Sequence, residues 1–292
     1  MSERMISAIV VTYHTGPVLY ESLAALLAST SLHELIIVDN GNPSATRHWL
    51  KQWSRELCCV RLLQSKRNMG FAAAVNWAAS LAEGDYLALV NPDLLVEKES
   101  LHTLVNELKR HPQAWLAGAR LQNRDGSEQR GGRRDFLTPW RAIVEYGRLW
   151  KIFPNHPYFR SFNLHRTTTE TGCLAVPTIS GALMVIPRFL WQRLQGFDAH
   201  FFLHVEDIDL CLRIHKMGGE TLYCGSVPVI HWGGTSRASL SFIEFHKTKG
   251  LSYYFRKHFL GVYPKWGIQL IVMLLWARWL LFVPQWFWKN RH

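Results

Sequence analysis

Residues 86–93 have the sequence Tyr-Leu-Ala-Leu-Val-Asn-Pro-Asp, a short apolar run that turns polar within one residue. The run Tyr86–Val90 has the length and composition of a buried β-strand. Asn91 and Asp93 follow it directly. Because ligands bind beyond the carboxyl ends of the strands in α/β sheets, this segment predicts both a sheet and its binding edge.

The same arrangement occurs twice upstream. Ile6–Thr12 is an apolar, β-branched run followed by Tyr13 and His14, and Glu34–Asp39 is a second run followed by Asn40. Strands that alternate with helices are typical of parallel βαβ units. We therefore predict an α/β fold with a mostly parallel, Rossmann-like central sheet flanked by helices. The other predicted elements of this part are strand Val60–Gln64 and helices Pro17–Ala28, Thr46–Glu56, Asn68–Leu81 and Lys98–Arg110.

Residues 122–176 interrupt this alternation. The stretch contains eight arginines and the pair Gly131-Gly132, and we predict a long, solvated and partly mobile excursion. Regular structure resumes after it, with predicted strands Ala182–Ile186, Thr221–Cys224 and Val227–Ile230 and a predicted helix Val205–Met217.

Composition limits the compartment and the partners of the 292-residue chain. Its five cysteines form no C-x-x-C pair, and Met1–Tyr13 lacks a secretory signal pattern, so we expect a cytoplasmic location. A net charge of +11 indicates an anionic partner: nucleic acid, anionic lipid or a phosphorylated substrate. The aromatic residues do not alternate with basic ones as in nucleic-acid-binding modules, so we expect no nucleic-acid partner. Oligomeric state is not predicted.

The C-terminal segment Trp266–Trp288 is strongly apolar and contains five tryptophans. Arg278 interrupts it, and Pro284 is expected to break a helix. Basic residues flank the segment: Arg256, Lys257, Lys265, Lys289 and Arg291. We predict a peripheral, interfacial helix on the inner face of the cell membrane rather than a transmembrane span. A helix pair packed on the core is the alternative.

Asp93 is a candidate ligand for magnesium or manganese. Enzymes that break a sugar–diphosphate bond must neutralise charge on the leaving diphosphate, and one or two carboxylates suffice to hold such a cation. An ordinary Asn-Pro-Asp turn is the alternative. His231, which precedes Trp232 and two glycines, is a second candidate ligand, although a lone histidine is more often structural.

Three acidic residues, Glu206, Asp207 and Asp209, open a predicted helix. Carboxylates at a helix N-terminus are stabilised by the helix dipole, so simple capping is one interpretation. The other is a general base, kept ionised by the same dipole, that deprotonates an acceptor hydroxyl. Phe201-Phe202 just before the helix would form an aromatic wall on which sugars stack.

The segment Asn68–Asn76 is a third candidate binding element. Asn68 is a plausible N-cap, and a helix N-terminus binds anions. The chain has neither G-x-G-x-x-G nor G-x-x-x-x-G-K-[ST], which argues against a dinucleotide oxidoreductase or a P-loop enzyme.

Taken together, the ordered segments resemble family 2 of the inverting glycosyltransferases, and within it the rhamnosyltransferase-type members. The resemblance spans about residues 5–240. Its segments are VVTYH (10–14), IIVDNG (36–41), NMGFAAAVN (68–76), LVNPDL (89–94), SGALMVIPR (180–188), GFDAHFFLHVEDIDLCLR (196–213) and HWGGTS (231–236).

This resemblance implies a GT-A fold in residues 1–240, with a nucleotide-sugar-binding half (1–120), an acceptor-binding half (121–240) and a membrane-associating extension (241–292). By matching, Thr12 and Asp39 would contact the nucleobase. The implied donor-binding set is Thr12, Tyr13, His14, Asp39, Asn40, Asn68, Gly70, Asn76 and Asn91. Asp93 and His231 would hold the metal, and Asn91 stands where the family's first metal-site aspartate falls. The implied acceptor-binding residues are Trp232, Phe202 and Asp209.

The implied reaction is a single in-line displacement with Asp207 as general base and Glu206 as the neighbouring alternative. The donor expected for this subgroup is dTDP-L-rhamnose, with UDP-sugars as rivals, and the acceptor is a lipid-linked glycan of cell-surface polysaccharide synthesis. A membrane-associated nucleotide-sugar-binding protein without activity is the competing hypothesis.

Overall fold

The computed structural model describes residues 5–153, 156–167 and 172–289, with side chains up to residue 283. Parts of two expectations lie outside these residues. One part is residues 1–4, at the start of the segment that is expected to lack a secretory signal. The other is the side chains of Trp286, Trp288, Lys289 and Arg291, at the end of the predicted interfacial segment.

The described chain alternates strands and helices through its first 122 residues. The strands are β1 (Ile6–Thr12), β2 (Leu32–Asp39), β3 (Val60–Gln64), β4 (Tyr86–Val90), β5 (Leu94–Leu95), β6 (Ala114–Gln122), β7 (Arg133–Arg134), β8 (Cys173–Ala175), β9 (Thr178–Ile179), β10 (Leu183–Pro187) and β11 (Glu220–His231). The α-helices are α1 (Val18–Leu27), α2 (Ser44–Arg55), α3 (Phe71–Ser80), α4 (Ser100–Arg110), α5 (Pro139–Tyr146), α6 (Leu149–Ile152), α7 (Arg188–Arg193), α8 (Glu206–Lys216), α9 (Leu240–Phe259) and α10 (Lys265–Lys289).

One large sheet has the strand order β3-β2-β1-β4-β10-β6-β11-β5, and β8 pairs with β11. Strands β3, β2, β1 and β4 are parallel to one another, and β11 is parallel to β6. Strand β10 runs antiparallel between β4 and β6, and β5 and β8 pair antiparallel with β11. The predicted mostly parallel α/β sheet is therefore confirmed. Strand order reverses between β1 and β4, which is where such sheets open a binding crevice.

Alternate residues of the strands fill separate cores on the two faces of the sheet. On β1, Ala8 and Val10 pack in one core with α1 and α4, whereas Ile9 and Val11 pack in the other with α3, α7 and α8. A third apolar cluster joins α8 to α9 and α10. The division of the chain at residues 120 and 240 stays a prediction.

Three local predictions were wrong. Asn68 is not an N-cap, because Gly70 turns the chain with a φ of +86° and α3 begins at Phe71. The two strands expected over residues 221–230 are one strand, β11, whose register shifts between Cys224 and Pro228. Part of the excursion 122–176 is regular, since it contains β7, β8, α5 and α6.

Helices α9 and α10 pack against each other and against α8. The inward residues of α10, which include Ile268, Val272 and Leu275, are at most 9% exposed. Apolar side chains repeat with helical spacing on its outward side: Trp266, Leu270, Met273, Leu274, Leu280 and Leu281. The helix continues through Pro284, contrary to expectation, although proline cannot donate the backbone hydrogen bond of that turn.

Asp209 joins α8 to α9. Its carboxylate, which has no exposed surface, accepts hydrogen bonds from Arg213 (2.7 Å), Lys257 (2.7 Å) and the imidazole of His258 (2.8 Å). Asp207 and Asp209 are two residues apart on a helix and therefore point to opposite sides. The acceptor-binding role predicted for Asp209 is replaced by a structural one.

Asn76 has a similar structural role on α3. Its amide donates to the carbonyl of Phe197 (2.7 Å) and accepts from the N–H of the same residue (3.0 Å). Phe197 is 2% exposed, so these two backbone groups have little access to water. The structure thus uses Asn76 to hold the segment after α7 rather than to face a donor.

We predict that Asn76→Ala lowers the free energy of unfolding by about 2 kcal/mol, because two buried backbone groups lose their partner. Urea denaturation measures the loss, with Ser80→Ala on the exposed end of α3 as the control. If Asn76→Ala instead weakened nucleotide binding at unchanged stability, the residue would be a donor ligand after all.

Candidate active site

The carboxyl ends of β1 and β2 are joined by Asn42, a residue that the sequence did not single out. Its amide oxygen accepts from the N–H of His14 (2.7 Å), and its amide nitrogen donates to the Thr12 carbonyl and to Asp39, both at 2.9 Å. The sequence feature that could have indicated this role is the position of Asn42, directly after Asn40 and Gly41 at the end of a strand. These bonds hold the two predicted nucleobase-contacting residues side by side.

Asp39 is fully buried and heavily bonded. One carboxylate oxygen accepts N–H groups from Gly41 (3.3 Å) and Asn42 (2.9 Å), and the other is 3.1 Å from Nε of Arg47. The Arg47 side chain is 43% exposed. One oxygen of Asp39 is therefore held by backbone donors, and the other is paired with a partly exposed arginine.

Asn40 and Asn68 link the β2 end to the start of α3. Asn40 donates to Asn68 Oδ1 (3.0 Å) and accepts from the N–H of Met69 (3.0 Å), while Asn68 Oδ1 also accepts from the N–H of Gly70 (2.9 Å). At Gly70 a Cβ atom would lie 2.7 Å from the Phe202 carbonyl oxygen. Only glycine permits this close approach together with the positive φ.

Phe202 lies beside the start of α3. It lines an open cleft of about 590 Å³ together with Lys66, Arg67, Asn68 and Met69. Its ring stacks on His246 of α9, with centroids 4.1 Å apart. Its predicted contact with the acceptor stays a prediction.

Asp93 and His231 come together beyond the ends of β4 and β11. Nε2 of His231 is 3.3 Å from Oδ1 of Asp93 and 3.4 Å from the Asn91 amide nitrogen. Thr235 donates to the second oxygen of Asp93 at 2.9 Å. Burial raises the pKa of Asp93, but His231 and Thr235 outweigh it and hold that pKa below its ordinary value.

Gln129, from the excursion, fixes the tautomer of His231. Its amide nitrogen donates to the His231 carbonyl (3.2 Å) and to Asn123 (3.3 Å), which leaves Oε1 to accept from Nδ1–H of His231 at 2.6 Å. Nε2 is then the ring nitrogen that faces the carboxylate of Asp93, and a proton or a cation between the two groups would join them. Histidines that bind metals commonly donate their other ring N–H to a partner in this way.

The donor set at this point is carboxylate, imidazole and amide. The described ranges 5–153, 156–167 and 172–289 contain no cluster of three or more histidine, cysteine or acidic side chains placed to hold a metal. The set here therefore consists of Asp93 and His231 beside the Asn91 amide. Such oxygen and imidazole ligands suit manganese and, with added waters, magnesium.

Residues 231–237 close over the strand ends. The N–H of Trp232 donates to the Asp93 carbonyl (3.1 Å), and the Ser236 hydroxyl donates to the Tyr13 carbonyl (3.1 Å). Trp232 is 37% exposed, with the Arg124 guanidinium 4.5 Å from its ring centroid. The loop thereby joins the Asp93 site to the end of β1.

Asp207 is held at the start of α8 by an arginine of the excursion. Arg134 Nη2 is 2.5 Å from Asp207 Oδ2, and the N–H of Gly181 donates to the same oxygen at 3.0 Å. The N–H of Ile208 donates to Oδ1 at 2.8 Å. Burial raises the pKa of Asp207, but the charge and hydrogen bond of Arg134 outweigh it, so that the pKa lies below its ordinary value.

Glu206 has the opposite environment. It is 6% exposed, and Oε2 is buried without a partner in the part of the chain that the structure describes. Burial, followed by the negative charge of Asp207, raises the pKa of Glu206 to about 8. The two preceding residues, His204 (φ +64°) and Val205 (φ +76°), adopt the left-handed conformation, which is strained for a β-branched residue.

A cavity of about 740 Å³ opens above these carboxylates. Seven cationic side chains but only three carboxylic ones line it, and most of the cations come from the excursion. The cationic residues are Arg130, Arg134, Arg148, Lys151, Arg166, Lys247 and Arg278. The arginine-rich stretch was evident in the sequence. Its position over Asp207 was not, because a local sequence pattern does not predict such a long-range contact.

Known proteins resemble this chain in sequence. The sequence profile of the family 'Glycosyl transferase family 2' matches residues 7–176 of the chain. N-acetylglucosaminyl-diphospho-decaprenol L-rhamnosyltransferase of Mycobacterium tuberculosis (strain ATCC 25618 / H37Rv) is 28% identical over 240 residues, which cover 78% of this chain and 76% of that protein. Rhamnosyltransferase WbbL of Escherichia coli (strain K12) is 23% identical over 182 residues, 62% of this chain and 65% of that protein.

Solved structures share the fold. A mannosyltransferase from Pyrobaculum calidifontis in complex with GDP-Man and Mn²⁺ superposes with a TM-score of 0.58 at 18% identity, over 92% of this chain and 68% of that one. GalNAc-T7 with UDP, GalNAc and Mn²⁺ superposes with a TM-score of 0.58 at 17% identity, over 86% of this chain and 49% of that one. The family's sequence profile covers more than half of the chain, and the chain has the fold of solved glycosyltransferases. The chain therefore belongs to glycosyl transferase family 2.

Proposed function

We propose that the protein is an inverting glycosyltransferase that moves a sugar from a nucleotide donor to a hydroxyl of a lipid-linked glycan. The observation that carries the proposal is Asp207. It is a buried carboxylate that Arg134 keeps ionised, and it lines the floor of a large cavity. A general base needs this combination of ionisation and access.

The proposed chemistry is a single in-line displacement. The acceptor hydroxyl gives its proton to the Asp207 carboxylate while its oxygen bonds to the anomeric carbon of the donor. The bond from that carbon to the diphosphate oxygen breaks on the opposite face, and the nucleoside diphosphate leaves. One displacement inverts the configuration at the anomeric carbon.

The strand ends provide the proposed donor site. Thr12 and Asp39 with Tyr13 and His14 would receive the nucleoside, and Asn40, Asn68 and Gly70 would approach its diphosphate. This assignment is supported by the hydrogen-bond network that joins the β1 end, the β2 end and the start of α3. Asn76 has no part in it, because its amide is engaged by Phe197.

Asp93 and His231 would hold a divalent cation, magnesium or manganese, with Asn91 beside them. Such a cation neutralises charge on a departing diphosphate. Asn91 stands at the position of a second carboxylate and removes one negative charge from the site. Gln129 and Thr235 would orient the two ligands through their hydrogen bonds.

The proposed donor is dTDP-L-rhamnose, from which L-rhamnose is transferred, and a UDP-sugar is the alternative. The proposal is supported by the names of two relatives, both rhamnosyltransferases. One of them acts, by its name, on an N-acetylglucosaminyl-diphospho-decaprenol, which is a lipid-linked sugar. We extend that acceptor class to this chain, as a step in cell-surface polysaccharide synthesis.

A peripheral position on the cytoplasmic face of the membrane accords with such an acceptor. Of the described helices, Lys265–Val283 alone is long and apolar enough to cross a membrane, and 22% of that window is buried in the protein. Helix α10 packs one side on α9 and turns an apolar side with Trp266 outward. We propose that this outward side lies in the lipid interface.

Transfer should depend on the Asp207 carboxylate. We expect Asp207→Asn to lower the rate of rhamnose transfer by about 10²–10⁴-fold, the range that a general base contributes, and to leave donor binding intact. The measurement is product formation from dTDP-L-rhamnose and N-acetylglucosaminyl-diphospho-polyprenol, with UDP-sugars assayed in parallel. Thermal-shift titration with dTDP checks the donor site. Near-normal turnover in the variant would remove Asp207 from the role of base.

The pH profile separates the two adjacent carboxyl groups. Because the pKa of Asp207 is lowered, a rate that depends on ionised Asp207 stays level from about pH 6 to about pH 9. Ionisation of Glu206, whose pKa is about 8, would instead make the rate rise across that pH. A profile of kcat against pH distinguishes them, and a rise that disappears in Glu206→Gln would assign the base to Glu206.

Metal binding should depend on Gln129. This residue contacts none of the proposed ligand atoms directly and acts only through its hydrogen bond with Nδ1 of His231. We expect Gln129→Ala to weaken Mn²⁺ binding by about 10–100-fold, the usual cost of losing a hydrogen bond that orients a metal-binding histidine. Titration calorimetry with Mn²⁺ measures the effect. Gln113→Ala, the same change at an exposed glutamine directly before the first residue of β6, is the matched control. Equal affinity in both variants would disprove the site.

A further inference from the structure

The cations around the mouth of the large cavity form a site that the catalytic proposal does not use. We define the basic mouth as Arg148, Lys151 and Arg166, all exposed, with Trp150 between them. The Lys151 ammonium and the Arg166 guanidinium each lie 5.3 Å from the Trp150 ring centroid. An aromatic partner positions a cation without neutralising it.

The charges of the basic mouth are not matched by carboxylates. Arg148 has no hydrogen-bond or ion-pair partner for its guanidinium among the residues that the structure describes, and it sits in the left-handed conformation with φ +53°. Glu145, the nearest acidic lining residue in sequence, is engaged by Arg130 at 2.6 Å and by the amide of Asn163 at 3.1 Å. The mouth is therefore strongly positive, whereas the floor carries Glu206 and Asp207.

Buried polar atoms without partners line the same cavity. Nδ1 of His165, Nε of Arg134 and Oε2 of Glu206 are all buried, line the cavity, and have no hydrogen-bond partner in the described chain. Glu206 as a residue is 94% removed from solvent. Unsatisfied groups of this kind, both donors and acceptors, are complementary to the hydroxyls of a sugar.

Exposed apolar side chains adjoin the basic mouth. Ile152 is 64% exposed and Phe153 is 47% exposed, directly after Lys151 in the chain. Arg278 lines the cavity from α10, the helix with the apolar outward side, and lies 5.0 Å from the ring centroid of Tyr146. Exposed apolar side chains and cations thus lie together at the mouth, and buried polar atoms and carboxylates line the cavity.

We propose that the basic mouth binds the diphosphate of a prenyl-diphosphate-linked sugar. The prenyl chain lies against the apolar side chains, and the sugar hydroxyl reaches Asp207. This inference rests on the proposed function and assigns the residues that would recognise the acceptor. The diphosphate of the acceptor and that of the donor then occupy separate cationic sites, one on each side of the reacting carbon.

The test uses farnesyl diphosphate as the probe and titration calorimetry on full-length protein saturated with dTDP. We expect Arg148→Asn/Lys151→Gln to bind it about tenfold more weakly or worse, the loss that follows when one charged hydrogen bond is removed. Asparagine at position 148 tolerates the left-handed backbone. Lys51→Gln/Arg55→Gln, which removes the same charge from the far end of α2, should bind as the wild type does. Farnesol should not bind measurably.

Three outcomes would overturn the proposal. The first is equal affinity of both double variants, with unchanged melting temperatures, for farnesyl diphosphate. The second is competition between farnesyl diphosphate and dTDP, which would place the probe in the donor site. The third is a defect of the mouth variant that appears only on phosphatidylglycerol vesicles, which would make the cations a lipid-headgroup contact. Failure of dTDP itself to bind would count against the proposed function instead.

Discussion

The ion pair between Arg134 and Asp207 is the constraint around which the large cavity is organised. Both side chains are largely buried, at 13% and 12% exposure, and a charge in such a place is costly unless it is paired and hydrogen-bonded. The N–H groups of Gly181 and Ile208 supply the remaining hydrogen bonds. A single carboxylate thereby fixes β7, the turn before β10 and the start of α8 relative to one another.

That pairing also explains why neighbouring acidic residues differ. Asp207 is bonded to Arg134 and stays ionised, while Glu206 is buried beside the negative charge of Asp207 and its pKa is raised. Environments that separate the pKa values of adjacent carboxyls are typical of acid–base sites. The strained backbone at His204 and Val205 directs the side chains of Glu206 and Asp207 into the cavity. Helix α9 packs closely against this backbone at Gly250.

The helical hairpin of α9 and α10 connects this site to the proposed membrane surface. It supports α8 through the third apolar cluster and through the Asp209 contacts, and it turns an apolar side outward. Binding to a lipid surface would thus place the cavity mouth near that surface. A lipid-linked acceptor needs this geometry, since its diphosphate lies at the headgroup level and only its sugar must reach Asp207.

Local pattern alone determined much of this protein. The alternation of apolar runs with helices specified the parallel sheet, and the polar residues at 12–14, 39–40 and 91–93 marked its binding edge, because both signals depend only on neighbours in the chain. Tertiary structure decided the rest. Asp207 and Asp209 look alike in sequence, yet one lines the cavity and the other is locked to α9. Asn76 faces Phe197, Gln129 reaches His231, and Arg134 reaches Asp207 across 73 residues. These roles depend on which distant groups share a buried volume, and the cost of burying a charge or an amide without a partner then selects the pairings.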